Sequence, residues 1–254
     1  MRVTSGITLD HVTKRFDSVT AVVDLSLSIG PGEIVCVLGP NGAGKTTALH
    51  MIMGLKTPTK GNVLIDGVSI HSPGIEAVRR QIGHVPEQPV LYDYLTGREF
   101  VQFVGRLYET DGDLDAWLEP RLVALQMSEG ADRLIKTYSM GMRKKIAFLA
   151  ALVHNPSILI FDEPTGSLDA VSARIVKDEM QAARGEGAAV LFTTHVMEIA
   201  ERLSDRVAIL TAGRLVAEGS LDDLRATHGR HARESLEDLF LRLTREESEP
   251  EPGR

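Results

Sequence analysis

The sequence predicts an α/β fold with a parallel-sheet core, an N-terminal antiparallel β subdomain and an inserted helical subdomain. Three observations predict it. Short apolar runs such as "IVCVL", "ILIF" and "AVLF" alternate with helix-patterned segments, the mark of parallel strands buried on both faces. Near the N-terminus, apolar and polar residues alternate singly, as in an antiparallel sheet with one wet face. The block from about residue 89 to 155 is mostly helical in pattern.

The elements follow in order. "ITLDHVTKRF" and "AVVDLSLSI" read as antiparallel strands, and "GEIVCVLG" as a strand buried on both faces. "GKTTALHMIMGL" has helical spacing and closes at Gly54. "GNVLIDGVSI" reads as a strand pair and "IEAVRRQ" as a short helix. "GREFVQFVGRLYE", "LDAWLEPRLVALQ" and "SMGMRKKIAFLAALVHN" are the helices of the inserted block. "SILIFDEP", "GAAVLFTTH" and "DRVAIL" return to buried strands with helices between, "GRLVAEG" adds an edge strand, and "SLEDLFLRLTRE" is an amphipathic helix. Residues 1–244 are expected to form a single domain. The charged, proline-rich 245–254 is expected to be a disordered tail.

Composition narrows the function. Apolar residues make up 43% of the 254 and charged residues 25%, enough for a sizeable core. A net charge of −7 argues against a general nucleic-acid binder. One cysteine, Cys36, excludes a disulfide scaffold, fits a reduced cytoplasmic setting, and reads as a small buried hydrophobe. No apolar run approaches the roughly 18 residues of a membrane span, and "MRVTSGITLD" has no signal-peptide core. A role at a membrane would need the spans of another chain.

"GPNGAGKTT" carries the chemistry. Gly39, Gly44, Lys45 and Thr46 match the spacing of a phosphate-binding loop between a strand and a helix. Glycines let successive N–H groups face one anion, and the helix N-terminus adds positive potential. The cradle comprises Gly39, Pro40, Asn41, Gly42, Ala43, Gly44, Lys45, Thr46 and Thr47. Lys45 reaches the β- and γ-phosphates, and Thr46 ligates Mg²⁺. "SILIFDEP" delivers Asp162 and Glu163 at the carboxyl end of a buried strand, where ligands of parallel sheets bind. Asp162 is expected to hold Mg²⁺ and Glu163 to polarise the attacking water. His195 ends the next such strand, "VLFTTH".

The order of phosphate loop, "YSMGM", "ILIFDEP", "GSLDA" and "TTH" closely resembles the ATP-binding cassette (ABC) ATPase family, a P-loop NTPase of RecA-like fold. The match runs from Ile7 to about Ser220. The resemblance implies ATP and Mg²⁺ as cofactors and Phe16 stacking on adenine. It implies Ser139 and Gly141 on the γ-phosphate held by a second subunit, Asp169 in the loop linking the two sites, and His195 on the γ-phosphate. Catalysis would fall to Glu163, His195 and Lys45. Three motifs depart from the family pattern. Tyr138, Met140 and Met142 replace residues of the common LSGGQ signature. Glu87 stands where the family often has a glutamine, with Gln88 next, so either is a metal-ligand candidate. "GSLD" replaces "SALD".

"YSMGMRKK", "VPEQPVLYDYLT" and "SLEDLFLRLT" resemble ATPase subunits of drug, antibiotic, lipid or polysaccharide exporters. The partners implied are separate transmembrane permease subunits and a second ATPase subunit in a homodimer or pseudo-dimer, at the cytoplasmic face of the cell membrane. A soluble assembly or regulatory ABC protein, such as an iron–sulfur assembly subunit, is the alternative. Val90, Leu91, Tyr92 and Tyr94 are expected to give an apolar surface for the membrane partner. "RKK" at 143–145 reads as a solvated helix face.

Overall fold

The single-residue alternation at the N-terminus builds one sheet. The computed structural model describes residues 6–229 and 234–246. Strands β1 (Ile7–Phe16), β2 (Val19–Ile29), β4 (Lys60–Ile65) and β5 (Val68–Ser69) form an antiparallel sheet in the order β2-β1-β4-β5. Leu25, Leu27 and Ile29 point inward every second residue, as the period of a half-buried strand requires.

The continuous apolar runs build the other sheet. Its order is β10 (Arg214–Gly219), β9 (Arg206–Thr211), β3 (Ile34–Leu38), β8 (Ala189–Thr194), β7 (Ile158–Asp162) and β6 (Ile82–Val85). The pairings from β9 through β6 are parallel, and β10 joins the edge antiparallel to β9. Strand β3 shows why these runs are apolar throughout. Ile34, Cys36 and Leu38 enter one core, and Val35 and Val37 enter the other. The second core is closed by the antiparallel sheet and α1 (Lys45–Ile52).

The opposite face of the sheet carries the helices. Between β6 and β7 run α3 (Gly97–Leu107), α4 (Leu114–Ala124) and α5 (Met140–Leu152), whose buried residues merge with the first core. Thr96 and Glu99 form a reciprocal capping box at the start of α3. Helices α6 (Ala170–Gly185), α7 (Met197–Leu203), α8 (Leu221–His228) and α9 (Leu236–Glu246) complete this layer, with Leu236, Leu239 and Leu243 of α9 in the core. The short α2 (Ile75–Arg79) packs on the other core. Arg245 and Glu246 belong to α9, and the rest of the expected tail lies outside the described residues. No described helix is long and apolar enough to cross a membrane.

Two elements, β6 and α8, are missing from the sequence reading. Strand β6 is only four residues long and contains Gly83 and His84, so its periodicity is weak. Parallel pairing with β7 creates it. A Cβ at Gly83 would lie 2.3 Å from the Ala151 carbonyl oxygen, so glycine lets α5 sit against the strand. Helix α8 did carry a signal, the Ser220–Asp223 capping box.

The run at 143–145 also departs from its sequence reading. Lys144 is 3% exposed and Lys145 8%, and Arg143 is paired with Asp93 at 2.6 Å. A burial this deep demands partners for each charge. Lys145 donates to the Leu125 carbonyl at 2.9 Å and pairs with Asp169 at 2.9 Å, and Lys144 turns toward the carboxyl ends of the strands.

Candidate nucleotide site

The carboxyl ends of β3, β7 and β8 converge on a cavity of about 660 Å³. The loop after β3 supplies Asn41, Gly42, Ala43, Gly44, Lys45, Thr46 and Thr47 to its wall. Gly42 and Gly44 have φ of +81° and +100°, a region that L side chains rarely occupy. A Cβ at Gly44 would also stand 2.4 Å from the Ala21 carbonyl oxygen, so the loop passes β2 only as glycine. Gly39 and Pro40 lie behind the wall. Their carbonyls accept hydrogen bonds from the Lys45 ammonium at 2.7 and 3.2 Å, which curls this buried cation over its own loop.

Thr46 and Asp162 meet across the cavity floor. The Thr46 hydroxyl donates to Asp162 Oδ2 at 3.0 Å, and the Thr193 hydroxyl donates to Oδ1 at 2.5 Å. Both carboxylate oxygens are thus oriented by hydroxyls from two neighbouring elements. Glu163, one residue on, has φ +51°. That left-handed turn of a non-glycine residue swings its side chain toward β8. There Thr194 donates to Oε2 at 3.3 Å, and His195 Nδ1 lies 2.8 Å from Oε1. Non-glycine residues held in this region cluster at functional sites.

The remaining cavity residues close its sides. Phe16, partly exposed at the end of β1, has the ammonium groups of Lys14 and Lys56 each 5.0 Å from its ring centroid. Ala21, for which the sequence carried no signal, lines the same side. Glu87 reaches the cavity and Gln88 is not among the lining residues. A carboxylate therefore occupies the place left open between these two side chains.

Behind Glu163 sits Lys144. Its ammonium donates to the Glu163 carbonyl oxygen at 2.6 Å. Burial pushes this ammonium below the ordinary lysine range, and the nearby Glu163, Glu87 and Asp162 carboxylates oppose that shift.

Ser139 and Gly141 lie apart from this cavity. Ser139 caps α5, its hydroxyl accepting from the Met142 N–H at 3.3 Å. Gly141 runs so close to the next loop that a Cβ there would stand 2.8 Å from the Ser167 carbonyl oxygen. Tyr138, one of the departures from the common signature, is buried and fully used. Its hydroxyl accepts from the Gly97 N–H at 3.1 Å and donates to the Gly130 carbonyl at 2.7 Å. Asp169 caps α6 by accepting from the Ser172 N–H at 2.8 Å. This bond, with those from Lys145 and the Ser172 hydroxyl, holds its carboxyl well below the usual carboxylate range.

The chain is similar to known proteins. The ABC transporter family profile matches residues 22–166. The chain is 38% identical over 224 residues to the ABC transporter ATP-binding protein NatA of Bacillus subtilis (strain 168), covering 86% of this chain and 91% of that protein. It is 36% identical over 216 residues to the linearmycin resistance ATP-binding protein LnrL of the same organism, covering 85% of this chain and 69% of that one. A dimeric structure of a post-hydrolysis ATP-binding cassette bound to ADP and Pi superposes with a TM-score of 0.75 at 28% identity, over 85% of this chain and 98% of that one. The chain belongs to the ABC transporter family and is the ATP-binding and ATP-hydrolysing subunit of a transporter.

Proposed function

We propose that this subunit drives export through separate membrane-spanning chains, docked at the cytoplasmic face of the membrane. The observation that carries the reading is the partition of the motifs. Lys45, Thr46, Asp162, Glu163, His195 and Phe16 wall one cavity, while Ser139 and Gly141 stand outside it. Groups aligned with γ-phosphate contacts are useful outside their own cavity only if they serve a second one. Two copies, or this chain and a similar one, therefore close face to face, each α5 N-terminus capping the partner's ATP.

In each site the loop N–H groups and Lys45 hold the phosphates, and Phe16 stacks on adenine. Glu163 polarises the attacking water, while His195 fixes the Glu163 carboxylate and contacts the γ-phosphate. The energetic role rests on positioned charge. The donor set fits Mg²⁺: a hydroxyl and a carboxylate, Thr46 and Asp162, stand 3.0 Å apart, with Glu87 on the same cavity. Among the described residues no cluster of three or more His, Cys, Asp or Glu side chains forms a metal cage. Mg²⁺ bound with phosphates needs none, because one or two protein oxygens suffice. When bound, the ion would neutralise charge on the β- and γ-phosphates.

Export rests on the branch motifs and on the name of the resistance relative. The proposed docking surface is the loop before α3. Val90 is 95% exposed and Tyr94 83%, and Val90 lines a groove of about 360 Å³ together with Pro86, Pro89, Leu91, Leu107 and Tyr108. Leu91 also packs on the core, and Tyr92 stands edge-on to Phe100 and Phe103, so the anchors are Val90 and Tyr94, the latter with the Lys136 ammonium 5.4 Å from its ring centroid. The transporter relatives disfavour the soluble-assembly alternative. Affinity purification from detergent-solubilised membranes tests the proposal. A polytopic partner that couples ATP hydrolysis to outward movement of a solute is the expected result; an exclusively soluble partner set, or inward movement, would overturn it.

A further inference from the structure

Among the described residues, Lys144 is the strongly buried charge beside the site that the phosphate and metal roles leave unused. Three observations define its place. First, its ammonium hydrogen-bonds a main-chain oxygen, the Glu163 carbonyl, at 2.6 Å. Second, that carbonyl closes a tight turn, accepting also from the Gly166 N–H at 3.2 Å, and the turn begins with Glu163 at φ +51°. Third, the turn leaves little room beside the cation. A Cβ at Gly166 would stand 3.2 Å from Lys144 Nζ, a contact tighter than most real ones.

We propose that Lys144 is a positioning residue for Glu163. Its ammonium locks the 163–166 turn, and so aims the Glu163 carboxylate at the attacking water. It also supplies a fixed positive charge behind Glu87, Asp162 and Glu163, which lets three carboxylates share one cavity wall. The physical need is clear from the backbone. An unstrained residue at 163 would leave the left-handed region and take the carboxylate with it. A neutral side chain would leave the turn with one hydrogen bond fewer and the carboxylates without a counter-charge.

The helix carries a second consequence. Ser139 caps α5 and Lys144 lies little more than one turn further along the same helix. If Ser139 serves the partner's nucleotide, a single rigid element touches the partner's ATP at its end and holds this subunit's own Glu163 near its first turn. Capping one site then reports directly on the geometry of the other.

The inference rests on Glu163 as the water-polarising carboxylate, and the test separates the two. ATPase kinetics and ATP binding are measured on the full chain for wild type, Glu163→Gln, Lys144→Met, Lys144→Arg and Gly166→Ala. Lys144→Met is expected to lower kcat about tenfold or more while ATP affinity stays within about twofold, the split of a group that acts only on the chemical step. Lys144→Arg, which keeps a cation and donors, is expected to recover most of kcat. Gly166→Ala keeps Lys144 and crowds its ammonium; it is expected to lower kcat with the same split, and it carries the test if Lys144→Met fails to fold. In the Glu163→Gln background, Lys144→Met is expected to leave the ATP-dependent dimer intact on size-exclusion chromatography. Wild-type kcat in both Lys144→Met and Gly166→Ala, or loss of that dimer, overturns the proposal while leaving Glu163 its role. A Glu163→Gln protein with wild-type kcat overturns the underlying reading instead.

Discussion

His195 and Glu163 meet at 2.8 Å between imidazole Nδ1 and carboxylate Oε1, across the ends of adjacent parallel strands. The contact fixes one oxygen of the carboxylate and leaves the other to Thr194. Replacing the carboxylate by an amide keeps its size and removes its basicity. Glu163→Gln is therefore expected to bind ATP normally while kcat falls by about 10²–10⁴-fold, the range for loss of a positioned base. With ATP and Mg²⁺ the variant should accumulate as a dimer, seen by size-exclusion chromatography; persistent monomer at high protein concentration would count against shared sites.

Lys45→Ala removes the ammonium that bridges the loop carbonyls and that we propose holds the phosphates. A charge-assisted hydrogen bond contributes roughly 1.5–3 kcal/mol. ATP affinity should thus weaken about tenfold or more, by titration calorimetry, and hydrolysis should reach background. Normal turnover in this variant would contradict the assignment of the phosphate cradle.

Ser139→Arg tests the partition of the motifs. Ser139 lies outside the cavity of its own subunit, so monomer affinity for ATP should change by less than about twofold while hydrolysis and ATP-dependent dimerisation are lost. An equal loss of monomer affinity would put Ser139 in its own pocket.

Acid should destabilise the fold through His84. Burial on β6 pushes its imidazole down to about 4, with Asp162 opposing and His50 adding to the shift. The folded state prefers the neutral ring, so this contribution is intact above pH about 6.5, the unfolded value, falls progressively as pH drops below it, and is fully lost once pH is below about 4, the folded value. The loss saturates at the order of 3 kcal/mol, once the folded state is protonated as well. His84→Gln, which does not titrate, should show a smaller drop in Tm between pH 7.5 and 4.5 than wild type, by differential scanning calorimetry. Identical drops would remove His84 from the acid response.

Val90→Ser with Tyr94→Ser probes the proposed membrane-partner surface. Both side chains are largely exposed, so the double variant should shift stability by under about 0.5 kcal/mol and keep basal ATPase. Export and co-purification of the membrane chain should fall. Unchanged transport would remove this loop as the docking point.

The sequence by itself determined whatever depends on a single local pattern. The phosphate cradle was legible because Gly42 and Gly44 must take φ values that favour glycine and Lys45 must follow at a fixed step. The strands β3, β7 and β8 were legible because burial on both faces leaves only apolar residues, so the glycine-rich loop after β3 and the polar residues ending the runs of β7 and β8 marked the site. Tertiary structure alone decided what depends on neighbours distant in the chain. Three consecutive cations at 143–145 read as a solvated face, yet the Glu163 carbonyl turns Lys144 inward and Asp169 with the Leu125 carbonyl does the same for Lys145. Glu87 and Gln88 are adjacent and both polar, and only the path of the loop after β6 brings Glu87 to the cavity. Tyr138 departs from the common signature, and its reason, the Gly97 N–H at the start of α3 and the Gly130 carbonyl in a turn, lies 41 and 8 residues away. A local pattern records which conformation a residue can adopt; whether a charge is buried depends on partners that the pattern does not contain.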